Sequence, residues 1–203
     1  AAYLHAVNGF LIDLASGRTA TDHVDTAFVV LVELALVLAV RHAQRGGRPQ
    51  ALLGSGVVLG LAILTKWLAA LLVVPVWLVL ALGRSSRRSL ALSLLALLAA
   101  ACAVALPWQI LIHQRFPSEA AFEARYAARH AFEALEGHAG RASYYLAAMP
   151  RTFGELVYVP VAWFLFEAAR GGAARTWQAL AVWALLPYAI FSLMATQMPA
   201  YVM

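Results

Sequence analysis

The chain has 203 residues, of which 63% are hydrophobic and only 12% are charged, and its mean hydropathy is +0.76. A soluble globular domain is closer to half apolar and a quarter charged, so this composition excludes an ordinary soluble protein and predicts a polytopic membrane protein. The net charge of +5 comes mainly from arginines at the ends of apolar runs. That pattern fits membrane topology and argues against a nucleic-acid-binding surface.

Seven apolar runs follow one another along the chain. Only helices and closed barrels satisfy their backbone within lipid, and the Leu- and Ala-rich composition favours helices. The predicted spans lie near residues 3–15, 24–40, 51–64, 67–82, 89–107, 155–169 and 176–195. Several are shorter than the roughly 20 residues that a full span needs. The predicted fold is therefore all-α: a polytopic transmembrane helical bundle with short helices, in which residues 1–203 form part of one domain.

The apolar stretch from Ala51 to Leu82 is interrupted by one charged residue, Lys66. A hairpin that turns at Lys66 places the arginines of segments 41–48 and 84–88 on the same side of the membrane, whereas one continuous helix would separate them. The positive-inside rule favours the hairpin, with both arginine clusters in the cytoplasm and Lys66 outside. Each further crossing changes the side of the membrane, and counting the crossings from these clusters places three more segments outside. These are residues 16–25, the loop 108–151 and the C-terminal residues 196–203.

The outer loop contains an amphipathic segment that runs from Pro117 to Gly137, PSEAAFEARYAARHAFEALEG. Pro-Ser is a typical helix start, and glycine is a typical helix stop. Arg129 and Glu133 stand at the i,i+4 spacing of a helical ion pair. This segment is predicted to lie along the outer interface and to cover a membrane-embedded site.

Two groups of charged residues are candidates for chemistry. Asp22, His23 and Asp25 could simply cap the helix that starts nearby, but two acids and a histidine exceed what a cap requires. Lys66 could be a snorkelling lysine at a turn, or it could bind an anionic head group such as a lipid phosphate. We expect Asp22 or Asp25 to face one outer cavity together with Lys66, near the 117–137 helix.

Other types of site lack their sequence signatures. The histidines do not show a HExxH-type spacing, and no Walker, GxGxxG or GxSxG motif occurs, which argues against zinc, nucleotide and dinucleotide chemistry. The one cysteine, Cys102, lies in an apolar run and is predicted to be a buried thiol outside any disulfide.

Four segments occur in an order known from one enzyme class: NGFLIDLASGRTATDHVDTAF, GLAILTKW, LPWQILIHQRF and EGHAGRASYYLAAMPRTFG. Together they resemble the dolichyl-phosphate-mannose–protein mannosyltransferase and aminoarabinose-transferase-like enzymes, which are membrane-embedded GT-C glycosyltransferases. The resemblance spans nearly the whole chain. It departs from the family pattern at Trp67, where glycine is usual after the lysine, and at Gln197, where a lysine is frequent.

The resemblance implies transfer of a sugar from a polyprenyl-phosphate donor to a protein or lipid acceptor on the extracytoplasmic face, with inversion. It implies catalytic roles for Asp22 and Asp25 and contact of Lys66 and Arg18 with the donor phosphate. Four further residues are expected to bind substrate: His23, His138, Tyr145 and Tyr201. The chain begins without methionine and stops within the pattern MPAYVM, so it is interpreted as an internal piece of a longer protein. The resemblance then implies that the main catalytic acid of such families lies upstream of residue 1.

The resemblance also sets the expected partners and location. No cofactor is expected beyond the lipid-linked sugar donor, and a divalent metal is left open. The expected partners are that donor, a protein or lipid acceptor and membrane lipid, without nucleic acid. The expected location is a bacterial inner membrane, with the active face periplasmic or extracellular. Two alternatives are a lipid or solute transporter or flippase, whose path the charged residues would line, and a non-catalytic membrane scaffold.

Overall fold

The computed structural model describes residues 12, 16, 23–44, 47–135, 137–170 and 174–197. Eight α-helices lie within these residues: α1 His23–Gln44, α2 Pro49–Lys66, α3 Val73–Ala81, α4 Arg87–Arg115, α5 Pro117–Phe132, α6 Tyr144–Phe153, α7 Tyr158–Arg170 and α8 Arg175–Leu193. Short 3₁₀ helices at Trp67–Leu72 and Glu155–Val157 precede α3 and α7. In this described part, β pairing is limited to two isolated bridges. The predicted all-α class is confirmed.

The chain divides into two compact units, and each is described by itself. The first comprises residues 1–108 and 173–183, and the second comprises residues 109–172 and 184–203. The assignment of residues 1–203 to part of one transmembrane domain, with its predicted span boundaries, stays a prediction.

The first unit contains a helical hairpin that turns after Lys66. Asp25, at the start of α1, contacts Lys66 at the end of α2. Trp77 of α3 contacts His42 near the end of α1. Because α3 leads from the Asp25 end of α1 toward its His42 end, α3 runs antiparallel to α2. The turn that the arginine distribution predicts is therefore present at Lys66.

Small residues let the helices of the first unit approach closely. The buried hydroxyl of Ser55 in α2 donates a 2.8 Å hydrogen bond to the carbonyl of Ala35 in α1. A Cβ atom on Gly56 would lie 2.5 Å from a backbone oxygen of α4, and one on Gly60 would lie 2.6 Å from another. These two glycines form a GxxxG pattern, the arrangement that brings helix backbones together in membranes.

The second unit shows where the amphipathic segment departs from its prediction. Helix α5 begins at Pro117 as expected but ends at Phe132, and Glu133 is already extended. The Thr196 hydroxyl donates to the Glu133 carbonyl at 2.7 Å and accepts from the Leu135 N–H at 3.0 Å. These bonds replace helical ones, which explains why the helix stops before Gly137. The predicted ion pair is confirmed, since Arg129 Nη2 lies 2.6 Å from Glu133 Oε2.

Three helices in the described residues are long and apolar enough to cross a membrane: α2, α4 and α8. A fourth span is added if the bent pair Tyr144–Pro150 and Glu155–Arg170 crosses as one. The prediction of a buried Cys102 is wrong, because its side chain is exposed on α4. An apolar run in a membrane helix can face lipid instead of a protein core, so apolar neighbours in sequence do not imply burial within the protein.

Candidate active site

Asp25 and Lys66 form an ion pair at the turning end of the hairpin. The Lys66 ammonium donates a hydrogen bond from Nζ to Asp25 Oδ1 across 41 residues of sequence. Asp25 is nearly buried, with 9% of its side chain exposed, whereas 30% of the Lys66 side chain is exposed. The structure thus brings Asp25 and Lys66 together, whereas the outer cavity that they are expected to face and its closeness to the 117–137 segment stay predictions.

The backbone around Lys66 explains its position. Helix α2 ends there and continues as the 3₁₀ helix Trp67–Leu72, and Lys66 itself has φ −144° and ψ 33°, outside the helical region. Thr65 supports the last turn, since its hydroxyl donates to the Ala62 carbonyl at 2.7 Å. At this break in the α-helical backbone, the chain leaves the direction of α2. Lys66 therefore stands at a helix end, where a side chain of its length can reach the start of α1.

The pair combines a nearly buried anion with a partly exposed cation. An ionised carboxylate is expensive to bury unless a partner compensates its charge, and Lys66 supplies that compensation for Asp25. A lysine ammonium carries three N–H donors. Its partly exposed position is compatible with holding Asp25 and contacting an anionic ligand at the same time. The arrangement is thus suited to presenting one positive charge at a fixed place.

A neighbouring hydroxyl was missed in the sequence. Thr26 follows Asp25 directly, and its Oγ1 atom is buried without a hydrogen-bond partner among the described residues. Buried hydroxyl groups nearly always find a partner, so the Thr26 hydroxyl is a further candidate for contact with a ligand hydroxyl. The only sequence signal was its position immediately after the acid.

Several predicted site residues fall outside the described part. Asp22, Arg18 and Tyr201 lie outside the described residues, and for His23 the structure describes the backbone at the start of α1 but not the side chain. Their assigned roles remain predictions.

His138 and Tyr145 belong to the second unit. The His138 carbonyl accepts a 2.9 Å hydrogen bond from the Gln197 N–H, and its side chain is exposed. Tyr145 is 2% exposed, and its ring meets those of Tyr144 and Tyr188 edge-on at centroid distances of 5.1 and 6.2 Å. This packing accounts for the burial of Tyr145 without any substrate. Binding roles for the two residues stay predictions.

The described residues contain no cluster of three or more His, Cys, Asp or Glu side chains that could hold a metal ion. This finding covers the described ranges alone, and the expectations about metals and cofactors stay predictions.

Comparison with known proteins identifies the family. The family model for dolichyl-phosphate-mannose-protein mannosyltransferase matches residues 1–111, a stretch that includes both Asp25 and Lys66. No curated protein and no solved structure matches the chain. The match covers more than half of the 203 residues, and the membrane-length apolar helices agree with it. The chain belongs to the dolichyl-phosphate-mannose-protein mannosyltransferase family and is a multi-pass membrane glycosyltransferase of the GT-C type.

Proposed function

We propose that this protein transfers a sugar from a polyprenyl-phosphate donor to a protein or lipid acceptor on the extracytoplasmic face of the membrane, with inversion. The observation that carries the proposal is the Asp25–Lys66 ion pair at the turning end of the hairpin. The family match supplies the class of reaction. The pair supplies a fixed cation of the kind that a phosphate leaving group requires.

The proposed reaction proceeds without a covalent bond between the sugar and the protein. A hydroxyl oxygen of the acceptor attacks the anomeric carbon from the side opposite the phosphate, and the bond between that carbon and the phosphate oxygen breaks. Polyprenyl phosphate departs with the bonding electrons, and the hydroxyl proton passes to a carboxylate. A cation held at the phosphate oxygens stabilises the charge that develops on the leaving group. We assign this task to Lys66, with Arg18 as a second cation.

Asp25 is assigned a positioning role within this scheme. Its charge is compensated by Lys66, and it is nearly buried, so it is better placed to hold the ammonium than to receive the acceptor's proton. Asp22, three residues earlier, is the carboxylate of this segment to which we assign contact with the acceptor hydroxyl. Fixing one cation in advance avoids its reorganisation during the reaction, which is how preorganised charge lowers a barrier.

The test is a transfer assay on the full-length protein in vesicles, with polyprenyl-phosphate mannose as donor and a hydroxyl-bearing peptide as acceptor. Lys66→Ala should lower kcat/KM by about tenfold to a hundredfold, because a hydrogen bond to a charged group contributes about 1.5–3 kcal/mol. Asp25→Asn should lower it less, since the cation remains but is held less firmly. In the double variant the two losses should not add, because both act through one ammonium.

Arg41→Ala is the matched control, since it removes an exposed cation near the other end of α1. Its transfer rate should stay within twofold of the wild type. Full activity of Lys66→Ala would remove Lys66 from the mechanism. Movement of an intact lipid or sugar across the vesicle membrane without transfer would instead support the transporter alternative.

A further inference from the structure

A pocket opens at the other end of the same hairpin, with a volume of about 380 Å³. The end of α1, the α1–α2 connection and the start of α2 form one wall, and Ser86 with the first turns of α4 forms the other. Asp25 and His42 are separated by 17 residues of α1, or about 26 Å at 1.5 Å per residue. The pocket is thus removed from the Asp25–Lys66 pair by a distance close to the roughly 30 Å thickness of a hydrocarbon core.

His42 presents a hydrogen-bond donor on this pocket's wall. Its Nδ1 atom accepts a 3.1 Å hydrogen bond from the indole N–H of Trp77, and an indole nitrogen is always the donor. In the neutral imidazole the proton must therefore sit on Nε2, a tautomer assigned here from the hydrogen bond. His42 is 9% exposed and lines the pocket, and its Nε2 atom lies on the side of Gly47, another lining residue.

The opposite wall adds further donors and a positive charge. Arg88, in the first turn of α4, carries a guanidinium with five N–H donors. Ser86 caps the N-terminus of α4, since its hydroxyl accepts a 3.2 Å hydrogen bond from the Ser89 N–H. The positive end of the α4 dipole lies at the same place. None of the described residues that line the pocket is acidic.

The remaining lining is apolar. Leu52 belongs to the first wall and is nearly buried, whereas Leu92 and Ala96 belong to the α4 wall, and 57% of Leu92 is exposed. A free phosphate ion gains nothing from such a wall, whereas a phospholipid offers a phosphate and an acyl chain side by side. Choline and ethanolamine head groups also carry a cation, and the described lining has no carboxylate to receive it.

We propose that this pocket binds the phosphate of an anionic phospholipid in the leaflet opposite the Asp25–Lys66 pair. Arg88 and the Nε2–H of His42 contact the phosphate, the α4 N-terminus adds its positive dipole, and the acyl chain lies against the exposed Leu92 of α4. This inference rests on the helical hairpin and is independent of the sugar-transfer proposal, because its readout is lipid binding and not transfer.

The test measures lipid retention on the full-length protein in detergent by native mass spectrometry, with titration of phosphatidylglycerol or phosphatidylcholine. Phosphatidylglycerol should bind at least tenfold more tightly than phosphatidylcholine. Arg88→Gln should weaken phosphatidylglycerol binding about tenfold, the loss expected for one charged hydrogen bond. Arg87→Gln, which removes the neighbouring cation outside the pocket lining, should change it less than twofold.

Two controls distinguish a bound phospholipid from a free phosphate ion and from attraction to surface charge. Inorganic phosphate at millimolar concentration should not displace phosphatidylglycerol, and displacement by phosphate alone would overturn the assignment to a lipid. Equal losses for Arg87→Gln and Arg88→Gln would indicate attraction to general surface charge and would overturn the site. Ser89→Ala keeps the charge and removes one lining hydroxyl, so a threefold or smaller loss is expected from a variant that folds normally.

Discussion

The GxxxG pattern in α2 provides a test of how the helices of the first unit are held together. Gly56→Ala adds one methyl group at a place where a Cβ atom would lie 2.5 Å from the Leu97 carbonyl oxygen and 2.7 Å from the Ala100 Cβ atom. Ordinary contact begins at 3.4 Å, so the oxygen is about 0.9 Å too close. Because that oxygen belongs to the backbone of α4, it cannot rotate away as a side chain would.

Two opposing free-energy contributions set how far Gly56→Ala changes the stability of the protein. Overpacking of this kind destabilises by about 1–3 kcal/mol, while alanine is favoured over glycine inside a helix by about 0.8–1 kcal/mol. The net loss of stability for Gly56→Ala is then about 0–2 kcal/mol. Gly54→Ala is the matched control, because its added Cβ would meet only a Leu38 methyl group at 3.5 Å. Gly54→Ala should stabilise the protein by up to about 1 kcal/mol, because alanine has the higher helix propensity and its methyl group causes no clash there.

The assay is reversible unfolding by sodium dodecyl sulfate in mixed micelles, followed by circular dichroism. Gly54→Ala should unfold at a higher detergent fraction than the wild type, and Gly56→Ala at a lower one. Gly60→Ala should resemble Gly56→Ala, because its Cβ would lie 2.6 Å from the Ala101 carbonyl oxygen. Equal shifts for Gly54→Ala and Gly56→Ala would refute the close packing of α2 on α4.

Two further predictions concern side-chain hydrogen bonds. Ser55→Ala removes the buried bond to the Ala35 carbonyl and should destabilise the protein by about 0.5–1.5 kcal/mol in the same unfolding assay, the net contribution of one hydrogen bond, because that carbonyl keeps its partner within α1. The Arg129 guanidinium lowers the pKa of Glu133 through their hydrogen bond, so the stabilising contribution of the pair is present at neutral pH and is lost as the pH falls through that lowered pKa. An NMR titration should show the Glu133 pKa rising in Arg129→Gln, and an unchanged value would contradict the pairing.

The position of the hairpin can be predicted from the sequence because its signal is strong. One lysine interrupts a long apolar stretch, and arginines flank that stretch on both sides, so topology alone fixed the turn at Lys66. The same reasoning left Asp22 and Asp25 as alternatives, since residues three apart lie near each other on a helix. The structure shows Asp25 in contact with Lys66, and Asp22 lies outside the described residues.

The contacts that were missed depend on residues far apart in sequence. His42 and Trp77 are 35 positions apart, and Thr196 ends helix α5 from 63 positions away. No local pattern encodes such pairs, because they arise when helices pack. The GxxxG pattern was different, since Gly56 and Gly60 could have been recognised by their spacing in an apolar helix.

The Asp25–Lys66 pair also bears on how the protein is made. Residues 24–40 of α1 are a predicted span that carries Asp25 in its first turn and Glu33 further along, and the cation that compensates Asp25 lies 41 residues later in the chain. A ribosome completes α1 before Lys66 has been synthesised, so at that moment Asp25 has no access to this counter-charge. A charged residue within a membrane helix opposes its insertion. We therefore expect α1 to leave the insertion machinery together with α2, as one unit of co-translational assembly, and not as an isolated helix.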